Sequence, residues 1–346
     1  MNPLQSLLGT EWPIIQAPMA GVQGSALAIA VCKAGGLGSL PCAMLGVDAI
    51  RAEVAAIRAQ TDHPFNLNFF CHTPPTPSAE REAAWRAALA PYFAEFGLDV
   101  GAIAAGPGRA PFSAELAEAV ARLRPAVVSF HFGLPAPDLL AQVRSSGARI
   151  LASATTLAEA RWLEAQGVDA IIAQGLEAGG HRGMFLGEDL TTQIGTFALL
   201  PQIVATVRVP VIAAGCIADA AGLAAARALG AAGVQVGTAY LLCPEATTSA
   251  PHRAALLSPA AEHTALTNLF TGRPARGIVN RLMREIGPIS GVTPAFPLAT
   301  AALAPLRAAA ERAGTGDFSP LWSGQNARGC RAVPAAQVTR DLAAGW

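Results

Sequence analysis

Eight short runs of apolar, β-forming residues recur along the chain, at 13–16, 37–40, 66–70, 126–132, 149–154, 170–173, 211–214 and 233–236, and each is followed by an amphipathic, Ala-rich stretch. Their near-continuous apolar character marks strands covered on both faces. Strands alternating with helices pair in parallel, and eight such units in about 240 residues fit a (β/α)8 barrel. The competitor is an open doubly wound sheet with a dinucleotide fingerprint. The turn after the first run, Ala17-Pro18-Met19-Ala20-Gly21-Val22-Gln23-Gly24, spaces its glycines wrongly for that fingerprint and carries a proline. The expected fold is therefore α/β, a TIM barrel.

The 346 residues are 52% hydrophobic and only 14% charged, with a mean hydropathy of +0.38, so a membrane location has to be tested. A 21-residue stretch free of Asp, Glu, Lys and Arg, 286–306, holds Pro288, Pro294, Pro297 and Pro305, which a spanning helix does not tolerate together. The apolar excess lies in 76 alanines and in the buried runs, and no membrane partner is expected. Twenty-four basic and 24 acidic residues cancel without clustering, so the electrostatic footprint of a nucleic-acid partner is missing and a small molecule is favoured. Cys32, Cys42, Cys71, Cys216, Cys243 and Cys330 form no CxxC, and the N-terminus has no basic segment followed by an apolar one. Reduced thiols in a cytoplasmic protein, without a metal or iron–sulfur centre, are the expectation.

Most strand-to-strand spacings are 20–29 residues, but 71–125 and 174–210 are longer. The first contains Pro74-Pro75-Thr76-Pro77 and Gly106-Pro107-Gly108; the second opens on a glycine-rich segment. In a barrel both lie on the carboxyl-end face, where active sites are built. The expected division is a barrel from 1–70 and 126–243, a mostly helical cap from 71–125 and 244–325, and a C-terminal tail over 326–346.

Five segments carry candidate chemistry. Gly215-Cys216 after the seventh run and Gly237-Thr238 after the eighth sit where barrels bind phosphate on backbone N–H groups, and the phosphate could belong to a substrate or to FMN. Gln174-Gly175-Leu176-Glu177-Ala178-Gly179-Gly180-His181-Arg182-Gly183 lets backbone lie against a flat ligand and puts His181 at the barrel mouth, where an imidazole can exchange a proton near neutral pH. Glu177 and Arg182 are either an orienting pair or solvated charges. In Ser129-Phe130-His131-Phe132-Gly133, alternation places Phe130 and Phe132 on one face and His131 on the other, so His131 is either a mouth residue or a core histidine. Asn68, in the third run, offers a donor and an acceptor to a planar heterocycle.

Together, Gln16-Ala17-Pro18-Met19-Ala20-Gly21, Asn66-Leu67-Asn68-Phe69-Phe70, Glu177-Ala178-Gly179-Gly180-His181-Arg182-Gly183, Ala213-Ala214-Gly215-Cys216-Ile217-Ala218, Gln235-Val236-Gly237-Thr238, Phe270-Thr271-Gly272-Arg273-Pro274-Ala275-Arg276-Gly277 and Trp322-Ser323-Gly324-Gln325 resemble the nitronate monooxygenases, over residues 12–325. The resemblance implies non-covalent FMN, with Ala17, Pro18, Met19, Asn68, Gln174, Gly179, Gly180 and Gln325 about the flavin. It places Gly215, Cys216, Gln235, Gly237 and Thr238 along the phosphate end, His181 as the catalytic residue, and His131 and Phe296 in the substrate pocket. The implied reaction takes an alkyl nitronate and O2 to a carbonyl compound and nitrite, with a second copy of the chain as the expected assembly partner. Family members usually have Gly where Cys216 stands, and the class I enzymes line their pocket with tyrosines and a lysine. This chain has only Tyr92, Tyr240 and Lys33, and Phe296 stands where Tyr is usual, so a more apolar pocket is expected. The alternatives are an NAD(P)H-dependent flavin reductase of the same barrel superfamily, acting on an enoyl thioester or quinone, and a flavin-binding protein without turnover.

Overall fold

The structure, a computed structural model, describes residues 2–103 and 109–346; Gly106-Pro107-Gly108 lies outside the described residues. The barrel strands are β1 (Ile14–Gln16), β2 (Gly38–Pro41), β3 (Phe65–Phe70), β4 (Val127–His131), β5 (Arg149–Ala154), β6 (Ala170–Gln174), β8 (Val211–Ala214) and β9 (Gly233–Val236). All pair in parallel in the order β1-β9-β8-β6-β5-β4-β3-β2. A parallel bridge between Ile15 and Leu37 joins the two ends, through Gln16 N–H to Leu37 O at 3.0 Å and Leu37 N–H to Ile14 O at 2.8 Å. The sheet thus closes and no barrel edge is left unpaired.

Alternation within each strand sorts the core into two shells. Outward residues such as Leu40, Leu67, Phe69, Phe130, Ile150 and Ile171 pack against the surrounding helices. Inward residues Ile15, Leu37, Val127, Leu151, Ile172 and Ile212 fill the barrel floor. From below, α1 (Pro3–Leu8) inserts Leu4 and Leu8 into that floor. Gly233 makes room: a Cβ there would lie 2.4 Å from Leu4 Cδ2. Above the floor the inward positions turn polar, and Asn66 Nδ2 donates to Ser39 Oγ and Ser129 Oγ at 3.0 and 2.9 Å.

The ring helices are α2 (Ser25–Lys33), α3 (Val47–Arg58), α5 (Ala114–Leu123), α6 (Pro137–Ser145), α7 (Leu157–Ala165), α8 (Thr196–Val204), α9 (Ala220–Ala228) and α13 (Ala335–Ala343). Two of them fall outside the segments that sequence assigns to the barrel. The helix α5 ends the 71–125 segment and packs on α3 and α6, and α13, in the expected tail, closes the ring between α9 and α2. Three other helices, α4 (Ala79–Glu95), α11 (Arg281–Ile286) and α12 (Ala299–Arg312), build a separate apolar cluster around Trp85, Phe93, Met283 and Phe318. They form the cap, with α10 (Ala250–Leu256) beside it. The cap also carries a three-stranded antiparallel sheet in the order β10 (Thr264–Thr267), β11 (Ala275–Ile278), β7 (Gly180–His181). Of these strands β7 and β10 are mostly half-buried, so they lack the continuous apolar run that marks the barrel strands. No helix among the described residues is long and apolar enough to cross a membrane.

Leu4 is fully buried in the floor, so Leu4→Ala is expected to cost about 2–4 kcal/mol, the range for a large-to-small core change. Urea unfolding followed by circular dichroism measures it, and a loss below about 0.5 kcal/mol would show that α1 is not a floor element.

Candidate active site

Inward side chains at the carboxyl ends of the strands, Asn68, Ser129, His131, Ser153, Gln174 and Gln235, form the base of a cavity with about 1280 Å³ of empty space, its opening included. Loops after β1 (Ala17, Pro18, Met19), β6 (Gly179, Gly180, His181), β8 (Gly215, Cys216) and β9 (Gly237, Thr238) form its walls, and Arg109, Trp322 and Gly324 complete them. Two of the residues singled out from sequence do not line it. Gln325 touches the loop through its backbone, N–H to Glu177 O at 3.0 Å. Phe296 is buried behind the wall, its ring 5.4 Å from that of His181.

The glycine loop is fixed from three directions. Its two-residue strand β7 pairs with β11, His181 opposite Ala275. The Gln174 amide donates to His181 O at 2.9 Å and accepts from Gly183 N–H at 2.8 Å. Arg182 is fully buried and donates to Gln174 O, Gly175 O and Gln193 Oε1 at 2.7, 2.6 and 3.1 Å. Arg182 and Glu177 are therefore neither a pair nor solvated. Glu177 instead receives Thr196 N–H at 2.8 Å and the Thr196 hydroxyl at 2.9 Å, which caps the N-terminus of α8. Gly175 and Gly179 allow close approaches, since a Cβ would lie 1.9 Å from Thr196 Oγ1 at the first and 2.5 Å from Gly324 N at the second.

His181 points its Nε2 at Thr271 Oγ1, 2.9 Å away. Phe70, Phe132, Phe296 and Trp322 surround its ring at centroid distances of 6.2, 5.9, 5.4 and 5.6 Å. Burial, then the cation of Arg109, holds its pKa well below the ordinary histidine value. The imidazole is neutral at neutral pH, and the proton exchange expected of it there is corrected accordingly. His131 is neutral too, pushed down to about 3 chiefly by burial. Its tautomer follows from its partners: Nε2–H donates to His181 O at 3.3 Å, and Nδ1 accepts from the Ser153 hydroxyl at 3.0 Å. His131 is thus a mouth residue with both ring nitrogens engaged. The alternation expected for its neighbours fails at Phe132, whose φ of 68° turns it away from the face of Phe130 and into the cluster with Phe70 and Phe296.

Elsewhere in the cavity wall, Gly215 and Cys216 have φ of 122° and 64°. A non-glycine residue in that region costs about 1–2 kcal/mol, and the Cys216 side chain stays exposed. Among the described residues, the N–H groups of Cys216, Gly237 and Thr238 have no protein acceptor, and the buried Gln235 Oε1 has no partner. Donors without acceptors, gathered at the ends of β8 and β9, are a cradle suited to an anion.

Cavity residues that sequence does not single out include Ser153, His252 and Arg109, and Arg273 lies close by. Arg109 lines the cavity, and Arg273 lies 4.1 Å from the centre of the Phe132 ring. Both are desolvated. The expected apolar pocket is corrected by one lining cation, Arg109, which comes from a segment distant in sequence from the barrel loops.

The fold and the cavity define a (β/α)8-barrel enzyme that works at the carboxyl ends of its strands, with an aromatic end and an anion-accepting end. The family model described as "Nitronate monooxygenase" matches residues 1–345. Relatives named nitronate monooxygenase are 45% identical in Paraburkholderia phytofirmans, over 98% of this chain and 93% of that one, and 44% identical in Pseudomonas aeruginosa, over 97% and 96%. Among solved structures, the nitroalkane oxidase of Streptomyces ansochromogenes matches with a TM-score of 0.89 and 40% identity over 99% of this chain and 97% of that one. FabK from Thermotoga maritima matches with a TM-score of 0.74 and 26% identity, over 99% and 94%. The chain belongs to the nitronate monooxygenase family and is a flavin-dependent oxidoreductase.

The site's histidines set a pH dependence. His72 and His252 are pushed down to about 4 and His131 to about 3, in each case mainly by burial. The folded state therefore binds fewer protons than the unfolded chain below about pH 6.5. Stability is complete above that value and is lost as the pH falls toward 3–4. Chemical denaturation across pH 4–7 is expected to show this decline, with a shallower slope in His131→Gln; equal slopes would refute the contribution of His131.

Proposed function

We propose that the protein oxidises alkyl nitronates with O2 to a carbonyl compound and nitrite, using non-covalently bound FMN. The observation that carries the reading is the pairing of a neutral His181 at the aromatic end with unclaimed backbone donors at the other end of one cavity. In favour of FMN, the N–H groups of Cys216, Gly237 and Thr238 match a phosphate in chemistry, and the orphaned Gln235 Oε1 matches a hydroxyl of the ribityl chain. Gly215 gives that loop its turn. Asn68, Gln174, Gly179 and Gly180 would hold the ring system, Ala17, Pro18 and Met19 its edge, and Gln325 would act through its backbone. In this reading the barrel holds the cofactor and the cap, with Phe296 and His131, bounds the substrate end.

When bound, the flavin supplies the electron transfer between the nitronate and O2. The protein's own groups orient and shield. Phe70, Phe132, Phe296 and Trp322 exclude water from the His181 end. Thr271 fixes the imidazole, which stays neutral and offers a hydrogen bond to the nitro oxygens instead of a positive charge. A histidine with so depressed a pKa is a weak base, so the substrate arrives already deprotonated, as the nitronate.

His181→Ala is expected to keep FMN and lose about 10²–10³-fold in kcat/KM, the magnitude for one lost oriented donor. Oxygen consumption with ethyl nitronate and flavin absorbance measure the two. The wild-type rate is expected to show no inflection from this histidine near pH 6.5. The likeness to FabK favours a second reading, reduction of the flavin by NAD(P)H. Anaerobic mixing separates them: bleaching by NADH but not by nitronate would replace the monooxygenase reading with the reductase one.

A further inference from the structure

Arg109 is a cation without a counterion. It lines the cavity, its Nη1 donates to Thr300 Oγ1 at a long 3.3 Å, and its Nε is buried with no acceptor among the described residues. No ion pair reaches it among the described residues, and residues 104–108 contain no Asp or Glu. The charged side chain that influences it most is another cation, Arg307, and the Phe296 ring lies 6.0 Å away. The other buried guanidinium groups nearby are answered: Arg182 is engaged by carbonyls, and Arg273 has Glu188 and Glu159 within electrostatic reach. An unpaired, half-buried cation is favoured by a nearby anion, and Arg109 lines a cavity large enough to admit one. Among charged groups, Arg109 acts most strongly on His181, so the two share one end of the cavity.

We propose that Arg109 is the oxyanion receptor of the substrate pocket, binding the two nitro oxygens of the nitronate. This rests on the nitronate reading and deepens it. A nitronate spreads its charge over two coplanar oxygens, and a guanidinium presents parallel N–H donors that match that geometry. A neutral nitroalkane offers weaker acceptors and leaves the cation unpaired, so Arg109 selects the deprotonated substrate.

The test uses the full-length, FMN-loaded protein and inorganic nitrate, a planar oxyanion that is not turned over, titrated by flavin difference absorbance and by calorimetry. Nitrate is expected to bind and to compete with ethyl nitronate. Arg109→Met is expected to weaken nitrate binding and raise KM by about tenfold or more while kcat stays within about threefold, and Arg109→Lys to restore most of the affinity. FMN content and thermal midpoint establish that each variant is folded; if Arg109→Met is not, Arg109→Gln takes its place. The proposal is overturned if nitrate does not bind the wild type, if KM and nitrate affinity in the neutral variant stay within about twofold, if kcat falls with KM unchanged, or if Arg109→Lys is as impaired as the neutral variant. Nitrate binding through Arg109 in a protein that does not consume nitronate would refute the nitronate reading and leave the oxyanion site standing. Nitronate turnover indifferent to Arg109 would do the reverse.

Discussion

The mouth of the barrel depends on one buried guanidinium. Arg182 reaches back from the glycine loop to the carbonyls that end β6 and sideways to Gln193, while its backbone N–H meets Pro274 O of the cap at 2.8 Å. It thereby joins strand end, loop and cap at a single residue. Burial lowers its pKa to about 10, which leaves it charged at neutral pH, and each hydrogen bond from a charged donor is worth about 1.5–3 kcal/mol. A flexible glycine loop would otherwise carry His181 through many positions. The clamp, the Gln174 amide and the β7–β11 pairing reduce these to one.

Electrostatics then assign different parts to chemically similar side chains. Among the arginines in or near the wall, three differ in their partners. Arg182 is consumed by structure, Arg273 rests on the Phe132 ring and donates to Met184 O, and Arg109 retains an unanswered charge. The histidines respond to this positive surrounding by remaining neutral. Such an end would attract an anion, and its histidines do not titrate in the physiological range. At the far end the positive character comes from backbone N–H groups, a source that residue composition does not reveal.

Much of the architecture was legible because burial on both faces leaves a strong mark. The eight apolar runs correspond to the eight barrel strands within one or two residues, as at 149–154 and 233–236. The cavity-lining glycines were legible for the same kind of reason: at strand ends they mark turns or close approaches, and Gly215 and Gly179 turn out to be one of each. The short strands β7 and β10 left no mark, because neither is fully buried and β7 pairs with β11, far away in sequence. The ring position of α13 was hidden by the cap inserted between it and β9. Phe132 was misassigned because a single positive φ reverses a side chain without any glycine to announce it.

The sequence by itself determined the barrel, the face that carries the site, and most of the side chains that meet there, since strand periodicity and loop placement are local properties. Which charges remain free was decided only by the tertiary structure. Arg109, Arg182 and Arg273 are indistinguishable as letters, and Glu177 is as plausible a partner for Arg182 as any. Their roles depend on which carbonyls, rings and carboxylates the folded chain brings within a few ångströms, because a buried charge takes its chemistry from its nearest neighbours.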